Sequence, residues 1–265
     1  MRPAFISILL FFGVAANAVV IPVDLSRSDR EEVVRLLGLA TSTKLLTNPF
    51  PLGGYSGFEI GLAVELIDIS NLPKLGCDVG APGCPNTGEG DKELRYPRIH
   101  IGKGLYNNVD VFLNFVPQST GSEMTSFGGA IRYSFYEAQF LPVNLSLVIT
   151  GGHVNVNDQF EGVTLGADLV GGLYINQLAI YLGVGQLRSS GTFLAGDLTA
   201  NPINKDVTVD ENDPDVNGNT NTVKHRVNQV HTLAGASVHL DDVFLAAQID
   251  RYPEPVYSFR LGLRF

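Results

Sequence analysis

From about residue 56 to the end of the chain, bulky apolar side chains recur at every second position. That is the period of a β-strand with two unlike faces. Phe58, Ile60, Leu62, Val64 and Leu66 share one face of the first run, while Glu59, Gly61, Ala63 and Glu65 share the other. The same division separates Phe127, Gly129, Ile131, Tyr133 and Phe135 from Gly128, Ala130, Arg132 and Ser134. It separates Leu178, Ile180, Leu182 and Val184 from Ala179, Tyr181, Gly183 and Gly185. Ten strands are predicted, at about 57–69, 95–103, 109–117, 125–137, 142–154, 161–173, 177–187, 224–240, 243–251 and 256–265. Pro97 would remove a ladder donor near the start of the second, so eight or twelve strands are alternatives to ten.

The second face is small or weakly polar, with scattered single charges. A water-soluble barrel would turn its bulky residues inward and show water a charged exterior. Here the bulky aliphatics suit lipid and the small polar face suits a narrow lumen. The fold class expected is all-β: a closed antiparallel up-and-down transmembrane β-barrel preceded by a short helix. A soluble secreted β-barrel or sandwich is the alternative. Connections agree with the membrane reading: 104–108, 138–141, 174–176 and 241–242 are short, and 70–94 and 188–223 are long. Transmembrane barrels have short periplasmic turns and longer outside loops. The connection at 252–255 is a short exception.

By strand parity the lumen should receive Glu59, Glu65, Asp110, Arg132, Asp168, Asp250, Arg260 and Arg264. Buried ions must pair, so these predict a salt-bridged network that fills the barrel. A charged lining that selects solutes is the other reading. Ten strands give an interior near the size that side chains can fill, which disfavours a wide diffusion pore.

Residues 19–55 differ in character from the 56–265 barrel region. Ser28 and Glu31 have capping-box spacing, Val33, Val34, Leu36 and Leu37 follow, and Gly38 offers a stop. A helix over about 28–38 is predicted, either at the periplasmic mouth as a lead-in or inside the lumen as a plug. Residues 1–18 read as a signal peptide: Arg2, an apolar stretch from Phe5 to Val14, then Ala16-Asn17-Ala18 as a cleavage site. That stretch is too short to span a bilayer as a helix. With 17% charged residues and mean hydropathy +0.14, the apolar content lies in short pieces, which only a closed barrel can carry across lipid. A net charge of −9 argues against nucleic acid as a partner.

Cys77 and Cys84, in one Gly/Pro-rich stretch, predict a disulfide in an exported chain. Asp213, Asp215 and Asn217, with Gly218 and Asn219, resemble the first half of a calcium loop in 210–219. Lys224 stands where the closing carboxylate belongs, so the bland alternative is an Asp/Asn/Gly-rich surface loop. Apart from this weak calcium site no cofactor is expected. His153 and His225 fall at outside strand ends, where a hydrolase of the omptin type would place its catalytic pairs. No motif fixes such pairs here, and a non-enzymatic protein is expected. His100, His231 and His239 are expected in the lumen or at the lower rim.

At the C-terminus Tyr257, Phe259, Leu261, Leu263 and Phe265 alternate with Ser258, Arg260, Gly262 and Arg264. This final strand resembles the assembly signal of Gram-negative outer-membrane β-barrels. The resemblance implies an outer-membrane location, recognition by the barrel-assembly machinery during biogenesis, and contact with outer-membrane lipid and lipopolysaccharide. It implies no particular activity. A structural or surface-interaction role carried by the long loops leads, with a narrow pore or transporter as the alternative.

Overall fold

The structure is a computed structural model that describes residues 19, 21–22, 25–47, 49–76, 92–116, 124–138, 142–157, 159–193 and 222–265, with only the backbone at 216–217 and 222. The alternating runs form β1 (Phe58–Asp68), β2 (Glu93–Gly104), β3 (Val109–Phe115), β4 (Met124–Glu137), β5 (Val143–Val156), β6 (Phe160–Ile175) and β7 (Leu178–Phe193). After the two-residue β8 (Val216–Asn217) come β9 (Thr222–Leu240), β10 (Val243–Arg251) and β11 (Pro255–Arg264). Leaving aside β8, which pairs only with the start of β9, ten strands among the described residues form one antiparallel circuit. It closes where β11 pairs with β1, from Glu59 opposite Arg264 to Ile67 opposite Val256. The ten predicted strands are thus present, with β7 running on to Phe193 where 187 was expected.

Short hairpins gather at one end. They turn on Asn107, Asn108, Asn176 and Asp241, with φ of 56°, 56°, 55° and 54°, residue types that tolerate the left-handed region. The described ends of the long connections gather at the other. The wall is inside-out relative to a water-soluble protein: outward-facing Leu182 and Leu165 are 64% and 62% exposed, whereas inward-facing Glu59, Glu65 and Arg132 are 0% exposed. Aromatic rings mark both edges of this apolar belt. Tyr133, Phe135, Tyr136, Tyr106 and Phe265 are exposed near the turns, and Phe115, Phe127 and Tyr257 near the long connections.

Helix α1 (Arg27–Val33) starts at Ser26, whose hydroxyl accepts from Asp29 N while the Asp29 carboxylate accepts from Ser26 N. The capping box therefore lies two residues before the expected Ser28–Glu31 pair, at the same three-residue spacing. The helix continues as a π-helical turn, Val34–Leu39, through the expected stop at Gly38. Gly38 serves close approach: a Cβ there would lie 2.2 Å from Ser189 Oγ on β7. The apolar side of this element packs inside the barrel mouth at the long-connection end. Val33, Val34, Leu37 and Leu39 join Val154, Phe160, Leu187, Phe193, Val223 and Val227 in one buried cluster there. Each such side chain contributes roughly 1.5–3 kcal/mol on full burial.

Candidate functional site

From Ala40 the chain leaves the helix, runs down the lumen and reaches β1 from the turn end. This strap, described at residues 40–47 and 49–52, is tied to the wall at several points. Ser42 Oγ lies 3.1 Å from Tyr252 Oη, and Thr43 Oγ1 donates to Gly151 O at 3.0 Å. Burial holds the Tyr252 phenol well above its ordinary pKa range. Lower down, Arg260 Nη1 donates to Leu46 O at 3.0 Å and Ser146 Oγ to Pro49 O at 3.1 Å. Leu52 N then donates to Asp110 Oδ1 at 3.2 Å. Extended chain inside a barrel exposes backbone groups that neither lipid nor a neighbouring strand can satisfy, and lumen side chains do so here. The wall is shaped to receive it: a Cβ on Gly172 would lie 2.1 Å from Pro49 Cγ.

All eight predicted charges point inward. Arg132 Nη2 donates to Asp110 Oδ2 at 2.7 Å, and Arg260 Nη1 lies 2.8 Å from Glu59 Oε1. Thr47 Oγ1 also donates to Glu59. Asp168 Oδ1 is 2.7 Å from His231 Nε2, and Asp250 accepts from Gln248 Nε2 at 2.9 and 3.0 Å. Arg264, half-buried, donates to the carbonyls of Phe50 and Pro51. Arg132 and Arg260 also stack over Phe112 and Phe244, at 5.1 and 5.0 Å.

Two cations were missed. Lys44 Nζ, on the strap, donates to Glu65 Oε2 at 2.8 Å, and Arg98 Nη1, on β2, lies 3.4 Å from Glu65 Oε1. Arg98 also donates to Ser42 O, at 2.8 Å, and to Thr41 O. A signal for them existed. The parity list holds five acids, Glu59, Glu65, Asp110, Asp168 and Asp250, against three arginines. Buried carboxylates left without partners are strongly disfavoured, so the list was short of two positive groups. Lys44 and Arg98 bring that set to five cations against five acids.

Beside Lys44 a cavity of about 20 Å³ remains, lined by Asp168, His231, Gln248, Asp250 and Tyr252 among others. It has room for about one water. His231 stacks on Tyr252 with ring centroids 4.9 Å apart, and His100 is buried in the lumen. His239, near the turns, stacks on Phe244 at 5.5 Å. The two rim histidines do not meet. His153 points outward, stacked on Phe127 and 2.8 Å from Glu161 Oε1, while His225 points inward, 3.9 Å from Glu31 Oε2. Cys77, Cys84, Asp213, Asp215 and Asn219 lie outside the described residues. Of Asn217 only the backbone is described, paired with Thr222. Tyr257 and Phe259 on β11, and Phe265 just after it, are exposed on the outer face, which Leu261 and Leu263 share half-buried.

A closed barrel with an apolar belt outside and its ions inside defines the class: a transmembrane β-barrel, with membrane lipid around the belt. No protein-family model matches the chain, and no curated protein matches it. Among solved structures, the N-terminal β-barrel domain of Pseudomonas aeruginosa OprF is 12% identical, covering 80% of this chain and 99% of that one, with a TM-score of 0.36. Ail, the attachment invasion locus protein of Yersinia pestis, is also 12% identical, over 79% of this chain and 97% of that one, with a TM-score of 0.29. Omp33 of Acinetobacter baumannii is 8% identical, covering 82% and 98%, with a TM-score of 0.28. The class assignment rests on the barrel's own closure and faces.

Proposed function

We propose that this protein is a sealed, non-enzymatic outer-membrane barrel whose work is structural or is done at the cell surface by its two long connections, 70–94 and 188–223. The observation that carries this reading is the strap, which fills the lumen from Ala40 to Leu52 and is bonded to β1, β2, β3, β5 and β11. A solute would have to displace backbone hydrogen bonds and buried ion pairs together, each costly to break. Residues 1–18 act as a cleaved signal peptide in this reading, and Cys77 and Cys84 close a disulfide that stiffens the first long connection. The final strand ending at Phe265 is what the barrel-assembly machinery engages, and lipopolysaccharide contacts the belt.

Planar-bilayer recording tests it. The intact protein should show no steady conductance, and deletion of residues 19–52 should open a pore if the barrel is retained. Steady conductance by the intact protein, with ion selectivity altered in Arg132→Ala or Glu65→Ala, would establish the second reading, a narrow selective pore. The cavity beside Lys44, Asp168 and Asp250 is the feature that favours that alternative.

A further inference from the structure

The outer face of β7 and β9 changes character abruptly along its length. Near the turns it is apolar: Leu178, Ile180, Leu182 and Val184 on β7, beside Ala234, Ala236 and Val238 on β9. Toward the long connections it becomes cationic, with Arg188, Lys224 and Arg226 all exposed. Arg188 stands opposite Asn228, Arg226 opposite Ser190 and Lys224 opposite Thr192. Arg188 and Arg226 are thus diagonal neighbours, roughly 7–8 Å apart. Lys224 is two residues along the same face, roughly 7 Å from Arg226. The outward residues of these two strands include no carboxylate, although the chain holds 27 acids against 18 Lys and Arg. On β6, Glu161 is 2.8 Å from His153. Ser190, Thr192 and Asn228 add hydroxyl and amide donors between the cations.

We infer that this rim binds the phosphate groups of a phosphorylated lipid in the outer leaflet, with the lipid's acyl chains lying on the apolar strip below. The inference rests on the outer-membrane reading and gives its lipid partner a site. Three features carry it. The cations begin where the lipid-facing strip ends. Their spacing lets two of them share one phosphate or hold a pair. Their sign opposes that of the whole protein, so average composition does not account for them. Arg is well suited to the task because its planar fork matches phosphate oxygens.

Native mass spectrometry of the folded, full-length mature protein in detergent, with bisphosphorylated lipid A as the probe, tests the site. The unaltered protein should retain lipid A, and dephosphorylated lipid A should be lost. Arg188→Gln, Lys224→Gln and Arg226→Gln combined should weaken retention roughly 100-fold, taking the usual worth of a surface cation at an anionic membrane. Arg188→Lys with Arg226→Lys should retain most of it. Arg226→Gln alone, expected to weaken retention about fivefold, provides the same readout if the triple variant fails to fold. Equal retention by the triple variant, or of dephosphorylated lipid, overturns the site, as does displacement by inorganic phosphate at matched concentration. Heat-modifiable migration of the same samples reports separately on the membrane-barrel reading: a protein that never forms that species refutes the barrel rather than the rim site.

Discussion

Lys44→Met removes the ammonium group from the strap and leaves an uncharged thioether side chain of similar length. Glu65, 0% exposed, then keeps Arg98 at 3.4 Å and loses its closer partner at 2.8 Å. Arg98 remains bonded to the Ser42 and Thr41 carbonyls. Removing one member of a buried ion pair costs about 3–5 kcal/mol because the other charge stays buried and uncompensated. The surviving Arg98 contact puts Lys44→Met near the lower end of that range. Glu65→Gln strands two cations at once and belongs near the upper end. Together the two substitutions leave a buried methionine and a neutral amide, with Arg98 held by carbonyls. The double variant should therefore recover roughly 2 kcal/mol or more relative to the sum of the singles. Equilibrium urea unfolding of the barrel in lipid vesicles, run as a double-mutant cycle, measures this directly. Strictly additive effects, or single substitutions costing under about 0.5 kcal/mol, would refute the buried-pair reasoning, since that is the range of exposed pairs.

Gly172→Val should push Pro49 out of its notch; the expected result is a destabilised barrel with flickering conductance in planar bilayers, where the parent is silent. Gly38→Ala should cost about 1–3 kcal/mol through its clash with Ser189, as overpacking does, and Ser189→Gly should restore most of that loss in the same urea assay. An epitope inserted before Val19 should be cut by protease added to intact cells, because Asn157, at the long-connection end of β5, donates to Val19 O at 3.3 Å. Protection of the epitope until the cells are opened would contradict that topology. Phe265→Ser should lower the amount of heat-modifiable barrel in outer-membrane fractions while leaving the refolded protein's lumen network intact.

The barrel was legible because period two is a strong signal when one face meets lipid: Val109 to Phe115 and Leu178 to Val184 could be phased without knowing their neighbours. The same phasing found Glu59, Asp110 and Arg260. It was not carried to Arg98 because Pro97 left β2 unphased, although Tyr96, Arg98 and His100 alternate inward within the expected 95–103. The strap was illegible for a different reason. The strap follows neither a helical nor a strand period, since its partners are spread over several wall strands and not over one repeating face. Lys44 meets Glu65, Thr47 meets Glu59 and Leu52 meets Asp110, contacts that no local pattern encodes. The position of α1 at the far mouth follows from that path and could not be read from its own amphipathic sequence.

The strap is held from both sides of the β1–β11 junction: Thr47 bonds Glu59 on β1, and Arg260 on β11 bonds Leu46. This has a consequence for the order of assembly. A helix with its side chains is about 10–12 Å across, and α1 lies beyond the charged lumen at the opposite mouth from the start of β1. Threading it through a finished ring would mean breaking every lumen ion pair on the way. The sheet must instead curl around a strap already in place, with its first and last strands joining as the final event. The strap is then a mandrel as well as a seal, and amides of β1 and β11 should gain protection last in pulse-labelled hydrogen exchange during refolding.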